Sequence, residues 1–120
     1  MHKRTLVVGA SEKPDRYSNK AVKRLIANGH EVIALGRKIG QIDDQEIITE
    51  IENKNDIHTI TVYIGIDHQN DLPKLINEIK PKRVIFNPGT ENKNLCLSLN
   101  ESGIECINAC TLVMLSIGDY

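Results

Sequence analysis

The chain has 120 residues, 15 of them basic and 16 acidic, giving a formal net charge of -1. This length makes one domain with room for a real core, but not for a nucleotide-binding half beside a separate catalytic domain. The charge balance excludes the broad positive field that nucleic acid demands, and one Phe, three Tyr and no Trp leave no aromatic platform for stacking bases.

Residues 1–4 lead straight into a short apolar run, too short for a signal-peptide core or a membrane span, so a cytoplasmic chain without a membrane partner is expected. Thr5 to Val8 form the apolar, partly β-branched run of a central parallel strand, and Gly9 ends it where a backbone turns tightly or approaches a ligand. After a polar loop, a helix is predicted from near Ser18, with Ala21, Val22, Leu25 and Ile26 along one face and Asn28-Gly29 at its end. Glu31 to Leu35 read as a second strand, after which Gly36 and Gly40 bracket a flexible basic loop of Arg37, Lys38 and Ile39.

Residues 41–56 fit either a short strand around Glu46 to Ile48 or a brief acidic helix through Glu52. Ile57 to Ile64, dense in Ile, Thr, Val and Tyr, is a third clear strand. Gly65 breaks it before a helix expected from near Asp67, with Leu72, Leu75, Ile76 and Ile79 on its inner stripe. Arg83 to Phe86 is the next strand, followed by the turn Asn87-Pro88-Gly89-Thr90, a helix from about Glu91 to Ser102, and a stop at Gly103. Ile104 to Ile107 makes a last strand, and Thr111 to Ile117 has helical apolar content. Strands alternating with helices imply an α/β domain over residues 1–120, its parallel sheet of five or six strands covered on both faces by right-handed crossovers.

Cys96, Cys106 and Cys110 are odd in number and lack paired CxxC knuckles, so they read as reduced thiols and no metal site is expected. Cys110 falls near the carboxyl edge of the sheet, where a small core residue is the plainer role than a thiol facing a thioester. His2, His30, His58 and His68 have no partner by motif, and only His68 falls in a loop that could face a ligand.

In a parallel sheet of this kind ligands bind outside the carboxyl ends of the strands, which selects residues 9–18, 36–40, 64–68 and 87–91. The first of these loops places backbone N–H groups at a helix start, with Ser11, Arg16 and Ser18 as side-chain partners for a phosphate. It is not GxGxxG, so the standard dinucleotide fingerprint is absent. The second loop carries Arg37 and Lys38 where NAD-binding domains place an acidic residue, which suits a phosphorylated ribose: the 2′-phosphate of NADP or the 3′-phosphate of coenzyme A. In the fourth loop Asn87 and Thr90 offer hydrogen bonds, Gly89 permits close approach, and Glu91 suits a helix's first turn.

Read together, VVGASEKPDRYSNKAVKRL, GHEVIALG and NPGTEN resemble the small single-domain CoA-binding proteins, similar to the CoA-binding domain of succinyl-CoA synthetase α chains. The resemblance covers nearly the whole chain. It implies a Rossmann-like three-layer fold that binds coenzyme A or an acyl-CoA without catalysis, with Gly9, Ala10, Ser11, Arg16, Tyr17 and Ser18 lining the phosphate region. Gly36, Arg37 and Lys38 stand where members commonly carry an Asn-Pro type of turn, and Tyr63-Ile64-Gly65 where an aromatic or Arg variant is usual. Gly36, Arg37 and Lys38, with Asn87, Pro88 and Gly89, complete the expected cofactor site. The competing readings are an NADP(H)-binding sensor or regulatory domain, and an interaction module that has kept the fold and lost the ligand. Apolar helix faces also leave a homodimer open.

Overall fold

The computed structural model describes residues 2–120. The apolar runs form strands β1 (Thr5–Val8), β2 (Val32–Leu35), β5 (Thr59–Val62), β6 (Arg83–Phe86) and β7 (Glu105–Asn108), joined by β3 (Gly40–Ile42) and β4 (Gln45–Ile48). The helices are α1 (Tyr17–Ala27), α2 (Leu72–Ile79), α3 (Lys93–Glu101) and α4 (Thr111–Ser116). One sheet takes all seven strands in the order β3-β4-β2-β1-β5-β6-β7. Six of them run parallel, and only β3, at the edge, pairs antiparallel.

Side chains alternate across a strand, and here both faces are apolar, which is why the strands read as continuous hydrophobic runs. Leu6 and Val8 join Ile60, Val62, Val84 and Phe86 on one face, covered by Leu72, Ile76 and Ile79 of α2 and Leu99 of α3. Val7 points the other way, into a second cluster with Val32, Ala34 and Ile47, covered by Val22 and Leu25 of α1 and Leu115 of α4. The result is the three-layer Rossmann-like arrangement. No helix among the described residues is long and apolar enough to cross a membrane.

Several boundaries differ from expectation for physical reasons. Residues 41–56 resolve toward the strand: Gln45–Ile48 pairs with β2, and the preceding Gly40–Ile42 folds back on it through a turn in which Asp43 takes φ +51°, a conformation Asp tolerates. The strand expected over Ile57 to Ile64 shortens to Thr59–Val62, because its neighbour β1 offers only four residues to pair with. The helix expected from Asp67 begins as a single 3-10 turn, Ile66–His68, and α2 starts at Leu72 with a proline in its first turn, where no N–H is needed. Helix α3 waits until Lys93 because Asn92 caps it, its Oδ1 accepting the Leu95 N–H at 3.1 Å.

The reading of three reduced thiols is corrected. Helix α3 lies against β7, bringing the Cα atoms of Cys96 and Cys106 to 5.5 Å, and the two are joined in a disulfide; Cys110 is the free cysteine, half-buried. A separation of ten residues placed them on successive elements, which spacing alone did not convey.

At the carboxyl end of β6 the side chain of Asn87, 2 % exposed, ties three elements together. Its amide nitrogen donates to the Thr61 hydroxyl at 2.7 Å and to the Val62 carbonyl at 2.9 Å, while its Oδ1 accepts the Thr111 N–H at 2.9 Å. The Thr61 and Thr111 hydroxyls are themselves 2.7 Å apart. Asn87→Ala would strand buried donors and acceptors on β5 and α4, and about 2–4 kcal/mol of stability should be lost. Urea unfolding measures this, and a loss under 1 kcal/mol would show that the network is dispensable.

At the opposite end of the sheet, Arg83 donates to the Thr59 hydroxyl at 2.7 Å and lays its guanidinium 4.3 Å from the ring centroid of Tyr120. His30 packs against the same ring, and its Nδ1 accepts the Lys3 N–H at 2.9 Å, a bond that requires an unprotonated nitrogen there. Burial, and then the Lys3 charge, hold His30 below the usual imidazole pKa; burial and Arg83 do the same to His58. An unfolded imidazole takes its proton near pH 6.5, and the folded ones take theirs only at lower pH. Between those values the unfolded chain binds more protons, so stability is complete above about pH 6.5 and is lost as pH falls below it. His30→Asn, which keeps an acceptor but cannot titrate, should flatten part of that decline in urea midpoints compared at pH 7.5 and 5.5. An unchanged pH profile in the variant would remove His30 from the account.

Candidate functional site

Strand order reverses at β1: β2, β4 and β3 extend to one side and β5, β6 and β7 to the other. The loops leaving β1 and β5 diverge from that line, opening a crevice above the carboxyl ends. The crevice measures about 860 Å³.

Its floor is a close approach of three strand exits. The N–H groups of Gly9 and Ala10 both donate to the Leu35 carbonyl at 2.9 Å, and the Tyr63 N–H donates to the Val8 carbonyl at 2.8 Å. Gly9 sits at φ +96°, and a Cβ on it would lie 2.9 Å from Ile64 Cγ2 and 3.0 Å from the Tyr63 carbonyl oxygen. A Cβ on Gly36 would lie 2.7 Å from the Ala10 carbonyl oxygen. Both glycines are therefore required by backbone contact between loops. The first two N–H groups of the β1 exit are also consumed internally, which leaves anion binding to the groups further along.

Those groups are at the start of α1. This helix begins at Tyr17 with no side-chain cap and no acidic residue in its first turn, so its first N–H groups and the positive end of its dipole face the crevice without an internal counter-charge. Ser18, buried in that turn, lines the crevice, as does Tyr17, which is 68 % exposed. The loop before the helix is pinned from inside: Asn19, 2 % exposed, donates its amide to the Ser11 carbonyl at 2.8 Å, and its Oδ1 has no partner. The Ser11 hydroxyl accepts the Lys13 N–H at 3.2 Å.

Four cations line the same crevice: Lys13 and Arg16 from the first loop, Arg37 and Lys38 from the second. Their side chains are exposed and can reach a ligand at little desolvation cost. On the opposite wall stand Tyr63, Ile64, Pro88 and Thr90. The Tyr63 hydroxyl is buried without a hydrogen-bond partner, and burial pushes its pKa up to about 12, so it stays a neutral phenol and adds no negative charge to a phosphate site.

Of the residues expected from sequence, Gly9, Ala10, Ser11, Arg16, Tyr17, Ser18, Arg37, Lys38 and Pro88 meet around this crevice. Gly36, Asn87 and Gly89 do not line it. Gly36 serves the loop contact, Asn87 is saturated beneath the floor, and the Gly89 N–H closes locally on the Glu91 carboxylate at 2.9 Å. Glu91 thus closes the turn ahead of α3, outside the helix's first turn. Sequence reasoning passed over Lys13, which lies between the glycine and the helix start in a loop already marked as phosphate-facing. Ile64, from the expected third loop, lines the crevice together with Tyr63, the strand-exit residue before it, and Thr90, expected to offer its hydroxyl to a ligand, donates it instead to the Asn87 carbonyl at 2.8 Å.

No curated protein matches the chain. Among solved structures, a crystal structure of an uncharacterized protein is 45 % identical, covers 100 % of this chain and 99 % of its own, and superposes with a TM-score of 0.95. A conserved hypothetical protein from Pyrococcus furiosus is 25 % identical over 92 % of this chain and 97 % of its own, with a TM-score of 0.79. A hypothetical protein from Pyrococcus horikoshii OT3, 23 % identical over 96 % and 82 %, shares the fold at a TM-score of 0.83. A family described as the CoA binding domain matches residues 3–116, and with that span, this fold and a crevice at its switch point the chain belongs to the CoA-binding domain family.

Proposed function

We propose that this chain binds coenzyme A or an acyl-CoA in the crevice at the β1 exit and acts as a stand-alone, non-catalytic module. The observation that carries the reading is the uncapped start of α1 facing Lys13, Arg16, Arg37 and Lys38 across one open crevice. Such an arrangement suits a ligand with phosphates at two places, a pyrophosphate near the helix and a ribose phosphate near the second loop. The crevice volume lies within the range of small-molecule sites. Family membership supports coenzyme A as the owner of those phosphates. No histidine or cysteine lines the crevice and Tyr63 stays protonated, so its side chains offer neither a thiolate nor an imidazole base. We also place the chain in the cytoplasm with its ligand.

The basic second loop suits the 2′-phosphate of NADP as well. The long first loop disfavours that ligand: α1 starts at Tyr17, well beyond Gly9, and the Gly9 and Ala10 N–H groups are already bonded to Leu35. Calorimetric titration with CoA, acetyl-CoA, NADPH, NADH and ATP separates the readings. Heat from CoA or its acyl form, and little from the others, is expected; preference for NADPH would reverse the assignment, and no response to millimolar CoA from folded protein would end it. Replacing both Arg37 and Lys38 by Ala should weaken CoA about tenfold or more while leaving dephospho-CoA nearly unchanged, since charge-assisted bonds to the 3′-phosphate are the ones removed. Equal losses for the two ligands would show that this pair does not read that phosphate.

A further inference from the structure

The first loop also carries Glu12, an acidic side chain beside a basic crevice and absent from the crevice lining. Its Oε2 accepts the backbone N–H of Gln41 at 3.0 Å, across to the strand that follows the second loop. Its Cγ and Cδ rest on Gly40, where an added Cβ would fall 2.6 and 2.4 Å from them. Residues 37–39 are exposed and run between two held ends: Gly36, whose N–H donates to the Ile48 carbonyl at 2.9 Å, and the Gly40–Gln41 end, which pairs with Ile47 and Glu46 of β4 and which Glu12 ties to the first loop. One side chain of the first loop thus grips the far end of the loop that carries Arg37 and Lys38.

We propose that Glu12 is a positioning residue, a latch that fixes residues 37–39 so that Arg37 and Lys38 face the ribose phosphate of the ligand, and that Gly40 is glycine to admit it. The inference rests on the CoA reading of the crevice. Two effects of the carboxylate oppose each other: its negative charge repels a phosphate, and its hydrogen bond orders the loop that attracts one. At an exposed site each amounts to about 1 kcal/mol, so removing the side chain outright cannot separate them. Glu12→Gln deletes the charge and keeps the acceptor, whereas Glu12→Ala deletes both.

The test compares these variants, together with Gly40→Ala, by calorimetric titration with CoA and dephospho-CoA. Relative to Glu12→Gln, Glu12→Ala should bind CoA about fivefold more weakly while dephospho-CoA differs by less than about twofold, a fivefold change being what a hydrogen bond of about 1 kcal/mol supplies. Gly40→Ala, whose methyl displaces the flexible end of Glu12, should reproduce the Glu12→Ala selectivity. Equal affinities of Glu12→Gln and Glu12→Ala, or losses shared by both ligands, would overturn the latch. A ligand-free check keeps it separate from the CoA reading: in 15N-resolved NMR spectra the Gln41 amide should shift upfield in Glu12→Ala and stay near its wild-type position in Glu12→Gln. If that amide does not move, the latch is refuted even where CoA binds; if it moves while CoA fails to bind wild-type protein, the latch stands and the CoA reading falls.

Discussion

The Leu35 carbonyl oxygen, accepting from both Gly9 and Ala10, is the contact on which the rest of the site depends. It brings the exit of β1 against the exit of β2 so closely that a Cβ at position 36 would strike the Ala10 carbonyl, while the exit of β5 crowds position 9 from the other side. The chain does not enter α1 directly from this turn. It loops outward through residues 11–16 and returns to start the helix over the crevice, and that detour carries Lys13, Arg16 and Glu12 into place. The loop's length is what removes the dinucleotide fingerprint.

Charge is distributed accordingly. A chain close to neutral overall sets four of its cations where the helix dipole already favours an anion, and the crevice lining holds no carboxylate among the described residues. Glu12 of the first loop spends one oxygen on a backbone N–H and is held outside the lining. Attraction is thus local and short-ranged, strong for a bound phosphate and weak for an extended polyanion, whose many charges would meet an otherwise mixed surface.

Much of the fold was legible because the hydrophobic pattern changes period where the elements change. Thr5–Val8 and Arg83–Phe86 could be read to the residue, since a strand buried on both faces leaves little choice of register. The β3–β4 hairpin was only half legible: its strands are three and four residues long, and the polar Gln45 and Glu46 interrupt the alternation before the pairing of Ile47 with Ala34 fixes its place. In the site, the residues near Gly9 were visible as a phosphate-facing loop, but the duty of each was not. Asn87 looked like a ligand group because a polar residue after a strand usually is one; the partners that saturate it, Thr61 and Thr111, lie 26 and 24 residues away in sequence. Such long-range pairing leaves no local trace, and neither does the meeting of Cys96 with Cys106.

The two faces of the sheet are not alike. Toward α2 and α3 the central strands present Leu, Ile, Val and Phe almost without interruption, whereas toward α4 the strands β5 and β6 offer Thr59, Thr61 and Arg83 among the buried residues. Helix α4 is six residues long, leaves Val113 53 % exposed, and holds its place in part through the Thr111 hydroxyl and N–H. Its apolar attachment is confined to Met114 and Leu115, so its detachment exposes two buried apolar side chains and carries only a fraction of the heat-capacity change and denaturant response of global unfolding. It should behave as its own foldon, exchanging its amide hydrogens by local opening while the β1 and β5 amides wait for global unfolding. This short helix follows β7 from the same carboxyl edge that forms the crevice, where a change in occupancy can be felt as a change in protection without any movement of the core.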